Sequence, residues 1–174
     1  MGAGRRPARR LTFSDAGLAD AKAIAALRNE AARDLTARFG QGHWSLRTSE
    51  QSVRSTLRHA RIRIGRTGRR IVTVLTLARR KPWAIDVKYF TPVERPLYLA
   101  GMAVSVDQQG RGLGRQALKD ALRVARAWPA DAIRLDAYVA KVGAGGFYTK
   151  CGYARRGRKR CWGLPLLYYE LLIS

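Results

Sequence analysis

Apolar residues recur at helical spacing in the first third of the chain. Between residues 24 and 35 they repeat with the period of an amphipathic helix, and Gly40 follows as a stop signal. Thr48 and Gln51 then fit a capping box, which predicts a second helix with Val53 on its apolar face. The pattern therefore predicts two amphipathic helices ahead of the first strand.

Two further helices are predicted in the second half of the chain. An apolar stripe over residues 118–125 follows a glycine-rich stretch and ends before Pro129. Further along, the sequence GAGGFYTKCGY is typical of a short helix that is closed by Gly152.

Between the helices the pattern changes to that of strands. The sequence RIRIGRTGRRIVTVLTLA predicts a hairpin, and residues 97–106 are almost continuously apolar, as in a strand buried on both faces. Residues 81–96 contain three prolines and predict a loop with a short strand. Residues 132–140 alternate, with Leu135 on the apolar face and Asp136 on the polar face, and LPLLYYELLI supplies a last strand. This mixture indicates an α/β or α+β fold.

Composition adds a strong positive charge to this picture. The 174 residues are 47% apolar, which suits one globular domain over residues 11–174, preceded by a disordered basic arm at residues 1–10. Thirty-four Lys and Arg against twelve Asp and Glu give a net charge of +22. The excess is either a solvated surface or a surface for a polyanion: nucleic acid, an anionic membrane or a phosphate-rich ligand.

Few residues are available for a metal site or a disulfide framework. Cys151, Cys161, His43 and His59 match no metal-ligand spacing, so no metal is expected. The N-terminal residues lack the apolar core of a secretory signal, and no apolar run reaches the length of a membrane span. A cytoplasmic location is therefore expected. The oligomeric state stays open, a homodimer included.

The most distinctive sequence is DQQGRGLGRQAL at residues 107–118, between a predicted buried strand and a predicted helix. Backbone N–H groups at a helix N-terminus are unpaired and bind anions, phosphates above all. Glycines at positions 110, 112 and 114 remove the β-carbons that would keep a phosphate away. The loop is neither a Walker loop nor a dinucleotide fingerprint, because the glycine spacing and the following residues differ. A purely structural glycine turn is the alternative.

Two sequence motifs together resemble the GNAT acyltransferase superfamily. MAVSVDQQGRGLGRQAL is similar to the family's coenzyme A signature, Q/R-x-x-G-x-G/A, here Gln109-x-x-Gly112-x-Gly114. About thirty residues on, AKVGAGGFYTKCGY resembles the second family landmark, N-x-x-A-x-x-F/L-Y-x-x-x-G-F/Y. The resemblance implies the GNAT fold: a mixed, mostly antiparallel, V-shaped sheet flanked by helices on both faces. It also implies acetyl-coenzyme A (acetyl-CoA) as cosubstrate.

The resemblance assigns the binding of acetyl-CoA to a strand and to the glycine loop. The strand would pair with the pantetheine arm through its backbone, and the loop amides would hold the pyrophosphate. The residues at these positions are Met102, Ala103, Val104, Gln109, Gly110, Arg111, Gly112, Leu113, Gly114 and Arg115.

The same resemblance points to the catalytic groups. Tyr148 matches the tyrosine that protonates the departing thiolate, and packing is its alternative role. Asp136 stands where some relatives have a glutamate base; its shorter side chain would need a water relay, and pairing with a neighbouring Arg is its alternative role. Lys141 replaces the family asparagine, so one amide contact to coenzyme A is lost. Trp44 is expected either to shape an acceptor pocket or to anchor a buried loop.

Two classes of function follow from these observations. The first is an acetyl-CoA-dependent N-acyltransferase in which an amine attacks the thioester directly and a backbone N–H near Val104 stabilises the oxyanion. The second is a basic binding protein for nucleic acid or ribosomes on the same fold. A hybrid of the two is an acyltransferase whose acceptor is linked to RNA. The sequence does not identify the acceptor or the acyl chain.

Overall fold

A computed structural model describes residues 11–139 and 144–174, and the predicted arm at residues 1–10 lies outside them. The strands are β1 (Thr12–Asp15), β2 (Arg61–Thr67), β3 (Arg70–Ala78), β4 (Pro96–Val104), β5 (Ala132–Tyr138), β6 (Ala154–Cys161) and β7 (Leu164–Leu172). The helices are α1 (Ala21–Phe39), α2 (Glu50–Thr56), α3 (Leu113–Ala127) and α4 (Gly145–Lys150).

The strands form one mixed sheet in the order β1-β2-β3-β4-β5-β7-β6. All neighbours are antiparallel except β4 and β5, which are parallel. This parallel pair is short: it runs only from Pro96 opposite Ala132 to Tyr98 opposite Arg134. Past that point the two strands no longer pair, which leaves a gap in the middle of the sheet. The expected α/β fold with a mixed, mostly antiparallel sheet is confirmed.

Helices cover both faces of the sheet, each with its own apolar core. On one face, Ile24 of α1 and Val53 of α2 pack with Ile64 of β2. On the other face, Leu118 of α3 packs with Leu135 of β5 and with residues of β3, β4 and β7. Alternate residues along a strand point to opposite faces, and β3 therefore contributes to both cores, with Val74 on one face and Leu75 on the other.

Local details correct two of the predictions. The N-cap of α2 is Ser49, not Thr48, because the Ser49 hydroxyl accepts a hydrogen bond from the Ser52 N–H at 3.0 Å. Residues 81–95 contain a 3₁₀ turn at Val87–Tyr89 instead of a short strand. The carboxylate of Asp86 accepts the Lys88 N–H and so caps that turn.

Strand burial also differs from the sequence pattern. β4 is buried at Leu97–Leu99 but exposed at Ala100 and Gly101, where its pairing with β5 has ended. The sequence pattern missed β1 and β6 altogether. β6 carries five Arg or Lys in eight residues, a composition that suits a sheet edge and hides the strand pattern.

A buried ion pair joins the sheet to α3. Arg63 of β2 donates from Nε and Nη2 to the carboxylate of Asp120 at 2.8 and 3.1 Å, and both side chains are almost fully buried. Arg63 also donates to Asp15 at 3.0 Å. This pair could not be predicted from the sequence, since Asp120 stands inside an otherwise apolar stripe.

Breaking that pair should destabilise the protein. We expect Asp120→Asn to lower the free energy of unfolding by about 3 kcal/mol, because Arg63 loses most of its charge compensation in the core. Urea denaturation measures the change. Glu50→Gln, which breaks the exposed Glu50–Arg54 pair, should change the stability by less than about 0.5 kcal/mol. Equal losses in the two variants would contradict a structural role for the buried pair.

Candidate active site

The gap between β4 and β5 leaves the inner edge of β4 without a partner strand. Ser105 N–H donates to the Val72 carbonyl of β3 at 2.9 Å, so the backbone groups of the preceding residue, Val104, point the other way, into the gap. The Val104 carbonyl is held there by the side-chain amide of Gln109, at 3.1 Å. The Val104 N–H is thus presented to any extended ligand that takes the place of the missing strand.

A bulge at Gly101 helps to open this gap. Between Val74 and Thr76 of β3, the opposite strand β4 contains one extra residue, and Gly101 takes a φ of 57°. Such a φ favours glycine, and an extra residue bends a strand. The strand therefore leaves its neighbour β5 just before the residues that line the gap.

The glycine loop joins this edge to the N-terminus of α3. Gly110 and Gly112 have φ values of 73° and 77°, and a β-carbon on either would meet open space. Gly112 is the N-cap of α3, so the N–H groups of the first turn, from Leu113 on, have no acceptors within the helix. The side chains of Arg111 and Arg115 are exposed beside them. The loop therefore has the geometry and the charge to bind an anion.

The third glycine allows close packing. A β-carbon at Gly114 would lie 3.1 Å from Cζ of Phe147 and 3.5 Å from Cε of Met102. Phe147 belongs to α4 and Met102 to β4, so Gly114 is the point at which three elements meet. A larger residue would push α3 away from the gap.

A cleft of about 550 Å³ connects these features. Nine of the ten residues assigned to acetyl-CoA binding line it, and only Arg111 does not. Three residues of α1 that the sequence did not suggest also line it: Ala31, Leu35 and Arg38. The helical spacing of Ala31 and Leu35 predicts only a packing face, and nothing in the sequence relates α1 to the glycine loop.

Tyr148 lies at the inner end of the cleft. Its ring is buried among Phe147, Tyr153 and Tyr169, and its hydroxyl donates to Sδ of Met102 at 3.8 Å. Burial, with a smaller contribution from the nearby Asp136 carboxylate, raises the pKa of Tyr148 well above its usual range. The phenol is therefore protonated at neutral pH and can donate a proton beside the free edge of β4.

Asp136 of β5 has no ion-pair partner in the described part of the chain, so the structure does not pair it with an arginine. Burial raises the pKa of its carboxyl group. Since Leu135 and Ala137 face α3, Asp136 faces the side of α1, together with Tyr138. Tyr138 packs edge-on against Trp44, with ring centroids 5.8 Å apart. Trp44 thus contacts the sheet on the same face as Asp136.

Four further expectations from the sequence concern Lys141, the two cysteines, metal binding and membrane spans. Lys141 lies outside the described residues. Cys151 and Cys161 are both free thiols. Residues 11–139 and 144–174 contain no group of three metal-binding side chains, and none of the helices within those ranges is long and apolar enough to cross a membrane.

Comparison with solved structures identifies many chains with the same fold. An N-acetyltransferase from Staphylococcus aureus Mu50 superposes with a TM-score of 0.68 at 17% identity, covering 95% of this chain and 99% of the other. The ribosomal-protein-S18-alanine N-acetyltransferase from Escherichia coli gives 0.71 at 16% identity, covering 95% of each chain. YncA from Salmonella typhimurium, solved with its cofactor acetyl-CoA, gives 0.67 at 15%, covering 94% of each.

At the level of sequence, no curated protein matches the chain. The model of the acetyltransferase (GNAT) family, however, matches residues 66–153, which is half of the chain. That range begins in β2 and ends after α4, so it includes the free edge of β4, the glycine loop and Tyr148. The chain therefore belongs to the GNAT acetyltransferase family.

Proposed function

We propose that this protein transfers an acetyl group from acetyl-CoA to an amine by direct attack. One arrangement carries the proposal: the free edge of β4 leads at one end to the anion-binding N-terminus of α3 and passes the buried hydroxyl of Tyr148. A long ligand with phosphates at one end and a thioester at the other fits this order of groups. The two free cysteines suit a cytoplasmic location.

The residues of the cleft divide the binding of acetyl-CoA between them. The N–H groups at the start of α3, with Arg115 beside them, would hold the pyrophosphate. The backbone of β4 ahead of Val104 would pair with the amide groups of the pantetheine arm as one strand pairs with another, which leaves the Val104 N–H for the thioester. Because Gly114 has no side chain, α3 packs close enough to β4 for both interactions to form at once.

The chemical step needs a base, a site for negative charge and an acid. Asp136 would take a proton from the amine, directly or through a water molecule, because its raised pKa makes it a stronger base than an exposed aspartate. The N–H of Val104 points into the gap and would stabilise charge on the carbonyl oxygen. As the new C–N bond forms and the C–S bond breaks, the proton of Tyr148 would pass to the sulfur.

A second candidate function, nucleic-acid binding, is favoured by the tip of the β6–β7 hairpin. Trp162 is 88% exposed and takes a φ of 51° in a two-residue turn with Gly163. Arg158 and Arg160 are exposed on β6 beside it. An exposed indole can stack on an unpaired base, while arginines neutralise phosphates. An acceptor linked to RNA would unite both candidates.

Calorimetric titration with acetyl-CoA, on protein freed of nucleic acid, tests the proposed function. We expect micromolar binding to the wild type and at least about tenfold weaker binding to Gly112→Val, because a β-branched residue disfavours the left-handed φ of the loop. Gly68→Val is the control, since Gly68 also has a positive φ and open space but lies in the β2–β3 turn. Absence of acetyl-CoA binding by the folded wild type would overturn the proposal. If that protein bound RNA instead, nucleic-acid binding would be the remaining candidate function.

Removal of the phenol hydroxyl tests the acid. Tyr148→Phe should lower kcat by about 10²–10⁴-fold and leave the Kd for acetyl-CoA nearly unchanged, because the hydroxyl acts on the leaving sulfur. Release of free thiol measures kcat. Tyr153→Phe is a matched control: the Tyr153 ring packs on Tyr148, and its buried hydroxyl has no hydrogen-bond partner in the described residues. Equal effects of the two variants would mean that Tyr148 only packs.

Replacement of the buried carboxylate should affect activity and stability in opposite directions. Burial raises the pKa of Asp136 in the folded state, so the ionised form destabilises the fold above that pKa. Asp136→Asn should therefore raise Tm at pH 7, by about 2–4 °C for each kcal/mol recovered. It should also lower kcat about 10²-fold, with a smaller deficit at high pH, where more of the amine is already neutral.

The exposed carboxylate of Glu94 supplies the control for that experiment. Glu94→Gln should change neither kcat nor Tm measurably, because its side chain lies on the surface of the β3–β4 connection. A wild-type rate for Asp136→Asn at pH 7 would exclude Asp136 as the base.

A further inference from the structure

Arg28 of α1 is a partly buried cation without a counter-ion. Six arginines in the described residues are buried or half-buried. Five of them form ion pairs with carboxylates: Arg61, Arg63, Arg66, Arg134 and Arg156. Arg28 has only neutral partners. Its Nε donates to the Gly101 carbonyl at 3.2 Å, and its Nη2 donates to the Thr76 hydroxyl at 2.9 Å.

This environment is unfavourable for a guanidinium group. Desolvation lowers the pKa of Arg28 to about 10, and no carboxylate offsets that effect. Every Asp and Glu of the sequence lies within the described residues, so no acidic side chain elsewhere in the chain can supply the missing charge. An ordinary structural arginine at this depth would have a carboxylate beside it.

The unused donors of Arg28 form a fork. A guanidinium has five N–H groups, and one on Nε and one on Nη2 are engaged here. Both N–H groups of Nη1 and the second of Nη2 remain. The second N–H of Nη2 and one N–H of Nη1 point away from Nε side by side, in the parallel arrangement that a carboxylate accepts with its two oxygens.

Arg28 does not itself line the cleft, but it contacts β4 next to Met102, at the end of the cleft where Tyr148 lies. Its guanidinium lies against Gly101, since a β-carbon there would be 2.7 Å from Nη2. Gly101 precedes Met102, whose Sδ accepts the hydrogen bond of Tyr148. Arg38, which lines the cleft near the glycine loop, is ten residues further along α1, about 15 Å away by helix rise. Arg28 is thus distant from the phosphate end.

The acceptor must also approach from the side of Arg28. The opposite face of the sheet is filled by the core between α3, α4 and the strands. Arg28 reaches the sheet from α1, and Asp136 faces the same side from β5. A base and an unpaired cation therefore stand on one face, on either side of the gap.

We infer that Arg28 binds a carboxylate of the acceptor, and that the acceptors of this enzyme are small primary amines that carry a carboxylate, such as free amino acids. The inference rests on the proposed acetyl transfer and specifies its substrate class. The amine would lie toward Asp136 and the carboxylate toward Arg28, so that the two charged groups of an amino acid meet groups of opposite charge.

Paired acceptors test this inference. Free L-amino acids and the corresponding L-amino-acid amides are compared at pH 9 by thiol release from acetyl-CoA, since the amides differ only in lacking the carboxylate. We expect the wild type to prefer the free acids by about 10- to 100-fold in kcat/KM. Arg28→Gln should abolish that preference through KM, and Arg28→Lys should keep part of it. Arg33→Gln, an exposed arginine on the same helix, should leave the preference unchanged.

The possible results separate the inference from the proposed function. Acetylation of amides as fast as acids, or an equal loss for both in Arg28→Gln, would overturn the carboxylate site while acetyl transfer stands. Failure to bind acetyl-CoA would overturn acetyl transfer itself. If acetyl-CoA binds but no amine of the panel reacts, the Tm is measured in the presence of N-acetyl amino acids and coenzyme A, which are the expected products. A rise in Tm that Arg28→Gln loses would support the site, and no rise would refute it.

Discussion

The divergence of β4 from β5 is the constraint on which the rest of the site depends. A parallel strand pair normally satisfies the backbone groups along its whole length, but this pair ends after Tyr98 and Arg134. The inner edge of β4 is thereby left free inside the sheet, protected from other chains by the elements around it. The roles proposed for the glycine loop, Tyr148 and Asp136 all follow from their positions around this edge.

Most carboxylates of this very basic chain form ion pairs. Nine of the twelve carboxylates are paired with Arg or Lys, and the deepest is Glu170 of β7, which accepts from both Arg134 and Arg156. The backbone N–H of Thr91 also donates to the Glu170 carboxylate at 3.3 Å, and this hydrogen bond holds the β3–β4 connection against β7. With so few acids available, an unpaired carboxylate next to the gap is unusual and points to chemistry.

The fold and the part of the cleft formed by β4, the glycine loop and Tyr148 were predictable because they depend on local patterns. Glycine spacing and the strand before it identified the loop, and the landmark around Tyr148 identified the second half of the cleft. The edge strand β6 was missed because its basic residues conceal the alternation. Arg28 and Arg38 could not be found from sequence, since their roles come from α1 lying across β4, a contact between residues about seventy positions apart.

The unpaired charges of Arg28 and Asp136 on one face of the sheet have a common explanation in a single ligand. Arg28 and Asp136 lie on opposite sides of the gap and form no ion pair, although most other acids in the protein find a basic partner. Holding two desolvated charges apart destabilises the free protein, and such strain is retained where a ligand removes it. A ligand with an ammonium group and a carboxylate would neutralise both charges at once. The strand divergence that creates the acetyl-CoA edge therefore also separates the two groups that would select the acceptor.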